Sequence, residues 1–232
     1  MSSALSGPRR ALRDNGLSIA FGVLFLLTLV GQALSGLAAY NDDQLSTGGE
    51  QIGLARYLLS SSFAVDVAEN WQSEYLQFFL YIFATVWLLQ RGSPESKQIG
   101  HEGRQSDEQQ RVGAHAKSDS PRPVRLGGWR TTVFSHSLAL VMLTIFFASW
   151  TAQLVAGAAA YNRDQLAARQ DPVSWLEYLG SGDFWNRTLQ NWQSELLAVG
   201  SMAIFGVYLR ERGSPESKPV GVPHTETSSS SD

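Results

Sequence analysis

Charged residues are absent from Asn15 to Asn41, and from Thr131 to Asn162 the only side chain that can carry charge near neutral pH is His136. A helix needs about 20 mainly apolar residues to cross roughly 30 Å of hydrocarbon, so each stretch predicts a membrane-spanning helix. Two shorter runs, rich in Phe, Leu, Ile and Val, lie between Glu74 and Arg91 and between Glu195 and Arg210. The pattern predicts an all-α membrane protein with four transmembrane helices and the lipid bilayer as its surroundings. Mean hydropathy over the whole chain is -0.12, the value of an ordinary soluble domain, because polar loops and tails offset the concentrated apolar runs.

The same order of apolar and polar positions returns further along the chain. Trp192 minus Trp71 is 121, and so are Tyr161 minus Tyr40 and Gly213 minus Gly92. The register holds from Gln32 to Lys97 without a gap. "AAYNDDQL" at Ala38 answers to "AAYNRDQL" at Ala159, "NWQSE" at Asn70 recurs at Asn191, and "RGSPESK" at Arg91 recurs unchanged at Arg212. Recurrence of this kind marks a duplicated supersecondary unit: two tandem two-helix repeats. The duplication also bears on the N-terminus. Arg9, Arg10 and Arg13, the apolar run, and then Ala33 and Ser35 have the form of a secretory signal. The second copy of that segment ends in "AGAAAYN" mid-chain and cannot be one, so a retained helix is expected.

Between the copies, Gln, Ser, Gly, Arg, Asp and His dominate without apolar periodicity, the composition of a disordered linker. The boundaries that follow are a cytoplasmic N-terminal tail (1–14), a first two-helix membrane repeat (15–97), a disordered cytoplasmic linker (98–128), a second repeat (129–218) and a disordered C-terminal tail (219–232).

Charge sets the orientation. Basic residues near helix ends favour the cytoplasmic side. Arg9, Arg10 and Arg13 precede the first helix, Arg91 and Lys97 follow the second, Arg122, Arg125 and Arg130 precede the third, and Arg210, Arg212 and Lys218 follow the fourth. The segment between the first two helices has Arg56 alone against Asp42, Asp43, Glu50, Asp66 and Glu69. Both termini and the linker are therefore expected in the cytoplasm, the protein being multi-pass in an inner membrane. Each outer segment has an apolar stripe, Leu54, Tyr57 and Leu58 or Trp175, Tyr178 and Leu179. These predict short amphipathic outer helices, with Pro172 in a first turn, Ser N-caps for the helices that follow, and Trp175 and Trp185 as interface anchors.

The repeated polar residues fall on helix faces, because positions i and i+4 are neighbours. Asn70 and Glu74 share a face with Ser73 beside them, and Asn191, Ser194 and Glu195 repeat the set. Gln32, Gly36 and Tyr40 form one stripe, and Gln153, Gly157 and Tyr161 another. Lipid cannot satisfy such groups, so the stripes are expected to face the protein interior. At 1.5 Å per residue, Glu74 lies roughly 25 Å from Arg91, and Gln32 roughly 28 Å from Arg13. Both then sit near the outer edge of the hydrocarbon. The carboxylates of Glu74 and Glu195 are expected to accept hydrogen bonds from the amides of Gln32 and Gln153. Small residues run beside the polar stripes (Gly31, Ser35 and Ala39; Ala152, Ala156 and Ala160). They would allow close helix approach and a homo-oligomer.

In "RGSPESK", Gly92 or Gly213 with Pro94 or Pro215 close behind reads as a helix stop. Arg91 or Arg212 complements the helix C-terminus and an anionic leaflet. The retained "ESK" is not explained by a stop signal, and a cytoplasmic docking surface is the alternative. Composition narrows the rest. There is no Cys, so no disulfide, thiolate metal site or cysteine nucleophile. The four His have no metal-ligand spacing, and a net charge of -3 gives no nucleic-acid footprint. No phosphate loop or nucleophile elbow is present. No enzyme activity, cofactor, metal or nucleic-acid partner is expected. Arg far outnumbers Lys, a trait associated with GC-rich bacterial genomes.

"NWQSE" opening a membrane helix that ends in "RGSPESK" resembles a bacterial family of small integral membrane proteins carrying a domain of unknown function. The resemblance covers nearly the whole chain outside the linker and tails. It implies membrane location and transfers no active residue. Two roles then compete. One is a structural or interaction helix bundle. The other is a small-solute, ion or proton pathway with the duplicated Gln–Glu–Asn clusters at its outer mouth.

Overall fold

A computed structural model describes residues 8–227. Residues 1–7 of the expected N-terminal tail and 228–232 of the C-terminal tail lie outside the described residues. Among the described residues the chain is all-helical, with nine α-helices and no strand. These are α1 (Pro8–Asp14), α2 (Gly16–Ser46), α3 (Leu54–Leu58), α4 (Ser61–Trp87), α5 (Arg122–Leu126), α6 (Trp129–Ser135), α7 (Ser137–Ala167), α8 (Trp175–Leu179) and α9 (Gly182–Tyr208). Helices α2 and α7, each 31 residues, are long and apolar enough to cross a membrane. The bounds of α2, α3 and α4 return 121 positions later as those of α7, α8 and α9. So do those of α1, as α6, although the two sequences have little in common there.

Local chemistry sets the outer helix starts. Ser174 and Glu177 form a capping box on α8: the Ser174 hydroxyl accepts from the Glu177 N–H (3.3 Å), and the Glu177 carboxylate accepts from the Ser174 N–H (2.7 Å). Pro172 therefore precedes the helix rather than opening it, which corrects the expectation for that residue. Ser60 and Ser181 accept from the N–H groups of Phe63 (3.3 Å) and Phe184 (3.2 Å) at the starts of α4 and α9. The long helices also stop earlier than the Gly–Pro pairs suggest. Helix α4 ends at Trp87 and α9 at Tyr208, before Gly92 and Gly213 are reached. Those glycines serve separate turns at positive φ, 83° and 90°, where a residue with a Cβ is strained.

The chain divides into two compact units. The first holds the described residues up to Asp66 together with Ala159–Pro172. Its centre is Tyr57 on α3, buried with its ring against Tyr40 (5.7 Å) and Phe63 (5.5 Å) and its hydroxyl against Gly36. Asn41 closes the turn after α2, donating to the Ile52 carbonyl (3.0 Å) and accepting from the Ile52 N–H (2.8 Å). The Arg163 guanidinium lies over the Tyr40 ring at 5.0 Å and donates to Ser62.

The second unit holds Val67–Ala158 together with the described residues from Val173 on. Its core joins Phe146, Trp150 and Phe184, with Trp150 stacked on Phe146 at 5.7 Å. Tyr178 is buried with its hydroxyl against Gly157, as Tyr57 is against Gly36. The segment between α4 and α6, expected as a linker, runs through turns, a 3-10 turn at Gly113–His115 and α5. The Thr131 hydroxyl donates to the Pro123 carbonyl (3.1 Å) there.

Candidate functional site

Every third or fourth residue of α4 turns inward, so Val65, Ala68 and Gln72 are buried in succession. Within the second unit Gln72 is fully enclosed, at 0% exposure, with Ser73 beside it. The Trp192 indole N–H, from α9, donates to the Gln72 carboxamide oxygen at 2.7 Å. One turn before Trp192, buried Thr188 accepts from the Gln153 amide of α7 at 3.2 Å. Gln153 is also at 0% exposure, and Ser149, one turn earlier, is buried. Trp150 lies between, its ring 6.3 Å from that of Trp192. Three helices thus supply a buried cluster of amides, hydroxyls and indoles set in aromatic rings.

At the helix starts an ionic network adjoins this cluster. Arg187 pairs with Glu69 at 3.2 Å and with Asp183 at 3.4 Å, and the Tyr178 hydroxyl donates to Asp183 at 2.8 Å. Burial, with the Asp183 carboxylate beside it, pushes the Tyr178 phenol well above its usual range.

Of the residues singled out from the sequence, Gln32, Tyr40 and Tyr161 belong to the first unit. Asn70, Ser73, Glu74, Gln153, Asn191, Ser194 and Glu195 belong to the second. Two local pairs recur: the Ser73 hydroxyl donates to the Asn70 carbonyl and that of Ser194 to the Asn191 carbonyl, each at 2.9 Å. The Asn191 amide donates to the Arg187 carbonyl (2.9 Å). The proposed tie from Gln153 to Glu195 is corrected, because that amide reaches Thr188. The inward stripe on α4 is corrected too. Asn70, Trp71 and Glu74 are exposed, and Gln72 and Ser73 face inward. Rotation of about 100° per residue separates Gln72 from Glu74, and residue type alone does not say which of them is inside.

The "RGSPESK" turns have one internal plan in both copies. Ser93 and Ser214 accept from the N–H groups of Glu95 and Glu216, each at 3.2 Å. Ser96 and Ser217 accept from those of Gln90 and Glu211, each at 2.9 Å. Lys97 donates to the carbonyls of Val86 (3.4 Å) and Gly103 (2.7 Å). Lys218 donates to those of Pro223, His224 and Glu226 at 3.0–3.1 Å. Burial, with Arg210 nearby, pushes the Lys218 ammonium down from its usual range. The retained Ser and Lys residues therefore hold the turn together. Gly92 is buried, its N–H donating to the Thr227 hydroxyl at 3.0 Å. Pro94 packs on Gly206, whereas Arg91, Arg212, Gly213 and Pro215 are exposed.

The motif glutamates stand outside that plan. Glu95 accepts from the Tyr81 hydroxyl and lines a 330 Å³ cavity with Gln77, Phe78, Ala198, Val199 and Met202. Glu216 hydrogen-bonds Glu95, and this contact raises its carboxyl above the usual range. Among the described residues no group of three or more His, Asp or Glu is placed to hold a metal ion. Sequence reasoning missed Gln72, Thr188 and Trp192 as site residues. It also missed Ser93, Ser96 and Lys97 with their counterparts; for Ser96 and Lys97 the unexplained retention of "ESK" was the available signal.

These features define an all-helical protein with two helices apolar enough to cross a membrane and a buried polar cluster between helices. The chain belongs to the DUF6766 family, a domain of unknown function whose family model matches residues 8–229. No curated protein and no solved structure matches the chain.

Proposed function

We propose that the chain is a four-span membrane protein of two tandem two-helix repeats, α2 with α4 and α7 with α9. In this reading both termini and the 98–128 segment face the cytoplasm of a bacterium, and the protein sits in the inner membrane. Its role is that of a structural or interaction bundle, without enzymatic chemistry, that works through helix contacts. The observation that carries this is how the motif's inward polar side chain is used: Gln72 binds Trp192 directly, within protein. Exposed Leu17, Phe21, Leu24, Leu27 and Val30 on α2 supply a surface suited to lipid. On the same helix Gly31, Ser35 and Ala39 present a small-residue stripe with open space at Gly31, suited to self-association.

The chain has no native Cys, so single cysteines at Ser118 and Ser46 test the topology. An impermeant thiol reagent on intact cells should label position 46 and spare 118; the opposite pattern reverses the topology. Purified protein in proteoliposomes tests the role. Proton and potassium permeability should match that of empty vesicles. A flux abolished by Glu74→Gln would replace the structural reading with the pathway.

A further inference from the structure

Four buried polar atoms in the second unit have no hydrogen-bond partner among the described residues: Gln72 Nε2, Trp150 Nε1, Gln153 Oε1 and, past the end of α9, Arg210 Nε. Native interiors satisfy nearly all such groups, with protein or with ordered water. Leaving one unmet costs about 1–3 kcal/mol. The first three belong to residues that meet α9 at Trp192 and Thr188, and they point to a common occupant.

The chemistry of the partners fixes what that occupant must offer. An indole N–H only donates. Trp192 therefore fixes the orientation of the Gln72 carboxamide: its oxygen faces Trp192 and its NH₂ group is left over. Thr188 can donate or accept. Whichever way the Gln153 amide is turned, Thr188 meets one end and the other remains. Trp150 presents one further N–H, three residues before Gln153 on the same helix. With Gln153 as placed, the site presents donors from Gln72 and Trp150 and an acceptor from Gln153. A water molecule accepts twice and donates to the third.

We infer that Gln72, Trp150 and Gln153 bind ordered water inside the second unit, bridging α4 and α7 beside the Trp192 contact. The site is independent of the proposed topology and role, because every residue in it lies within one unit. The asymmetry between copies supports it. Gln193 and Trp71, the counterparts of Gln72 and Trp192, are exposed, and Leu29 stands at the position equivalent to Trp150.

Solid-state NMR of the full chain in lipid bilayers tests this, by magnetisation transfer from water protons to indole nitrogens. The Trp150 indole should receive transfer from slowly exchanging water. The Trp192 indole, bonded to Gln72, is the internal reference and should receive markedly less. Gln153→Leu should abolish transfer at Trp150 while leaving the Trp192 resonance in place. Gln72→Met is an independent variant should Gln153→Leu fail to fold, and it too should reduce transfer at Trp150. Absence of transfer at Trp150 overturns the inference. So does transfer at the rate of bulk water, or transfer indifferent to both substitutions.

Discussion

Trp192 and Gln72 belong to the same five-residue motif in different copies, and the indole of one donates to the carboxamide of the other at 2.7 Å. The counterpart residues stand in a different setting, since Trp71 and Gln193 are exposed. One motif thus supplies a donor in one copy and an acceptor in the other.

Gln72→Leu leaves the Trp192 N–H without its acceptor, and thermal stability should fall by about 1–3 kcal/mol. Gln193→Leu changes an exposed side chain and should stay within about 0.5 kcal/mol of the parent. Melting curves of both variants in the same detergent make the comparison. Equal losses would show that the Trp192 contact has no special weight.

The tyrosine–glycine contacts make a second pair of opposed expectations. Gly157 faces the Tyr178 hydroxyl, so an added methyl group must displace a buried ring. Gly157→Ala should cost about 1–3 kcal/mol. Gly200, on α9, has open space around it. There the same substitution should gain about 0.5–1 kcal/mol from helix propensity. Opposite shifts in melting temperature are the expected result.

Much of this was legible beforehand. The long apolar runs and the 121-residue offset are carried by residue type and spacing, which one sequence displays. What "NWQSE" places inside was not legible. Asn70, Gln72, Ser73 and Glu74 are all polar, and only packing against α9 selects Gln72. The Thr188 partner of Gln153 was hidden for a related reason: its counterpart in the first copy is Val67, so no recurrence marked it. The match between α1 and α6 is one of backbone bounds without sequence likeness.

The Glu95–Glu216 contact makes stability depend on pH. Glu216 has a raised folded pKa, so the folded chain holds that proton more tightly than the unfolded chain does. The contact therefore contributes fully below the ordinary carboxylate range and is lost as pH rises through the raised value. Glu216→Gln removes this dependence and the neutral-pH repulsion. The variant should melt about 1–2 °C above the parent at neutral pH, and the difference should vanish or reverse near pH 4. A difference that does not change with pH would disprove a shared proton.

Lys218→Met should loosen the turn that follows α9, since three carbonyls lose their common donor. The cost should be about 1–3 kcal/mol, read as faster amide exchange over residues 219–227. Arg212→Ala, at an exposed position of the same motif, should leave that exchange unchanged.

The caged ammonium groups have a consequence for covalent chemistry. The chain has three lysines, and two of them, Lys97 and Lys218, are turned onto backbone carbonyls. Lys117 is exposed, in the segment between α4 and α6. Among its lysines, an amine-reactive reagent used on folded protein will modify Lys117 ahead of Lys97 and Lys218. The Arg side chains around both turns stay untouched by such reagents. A lysine label therefore reports on the segment between α4 and α6 and leaves both motif turns unmodified.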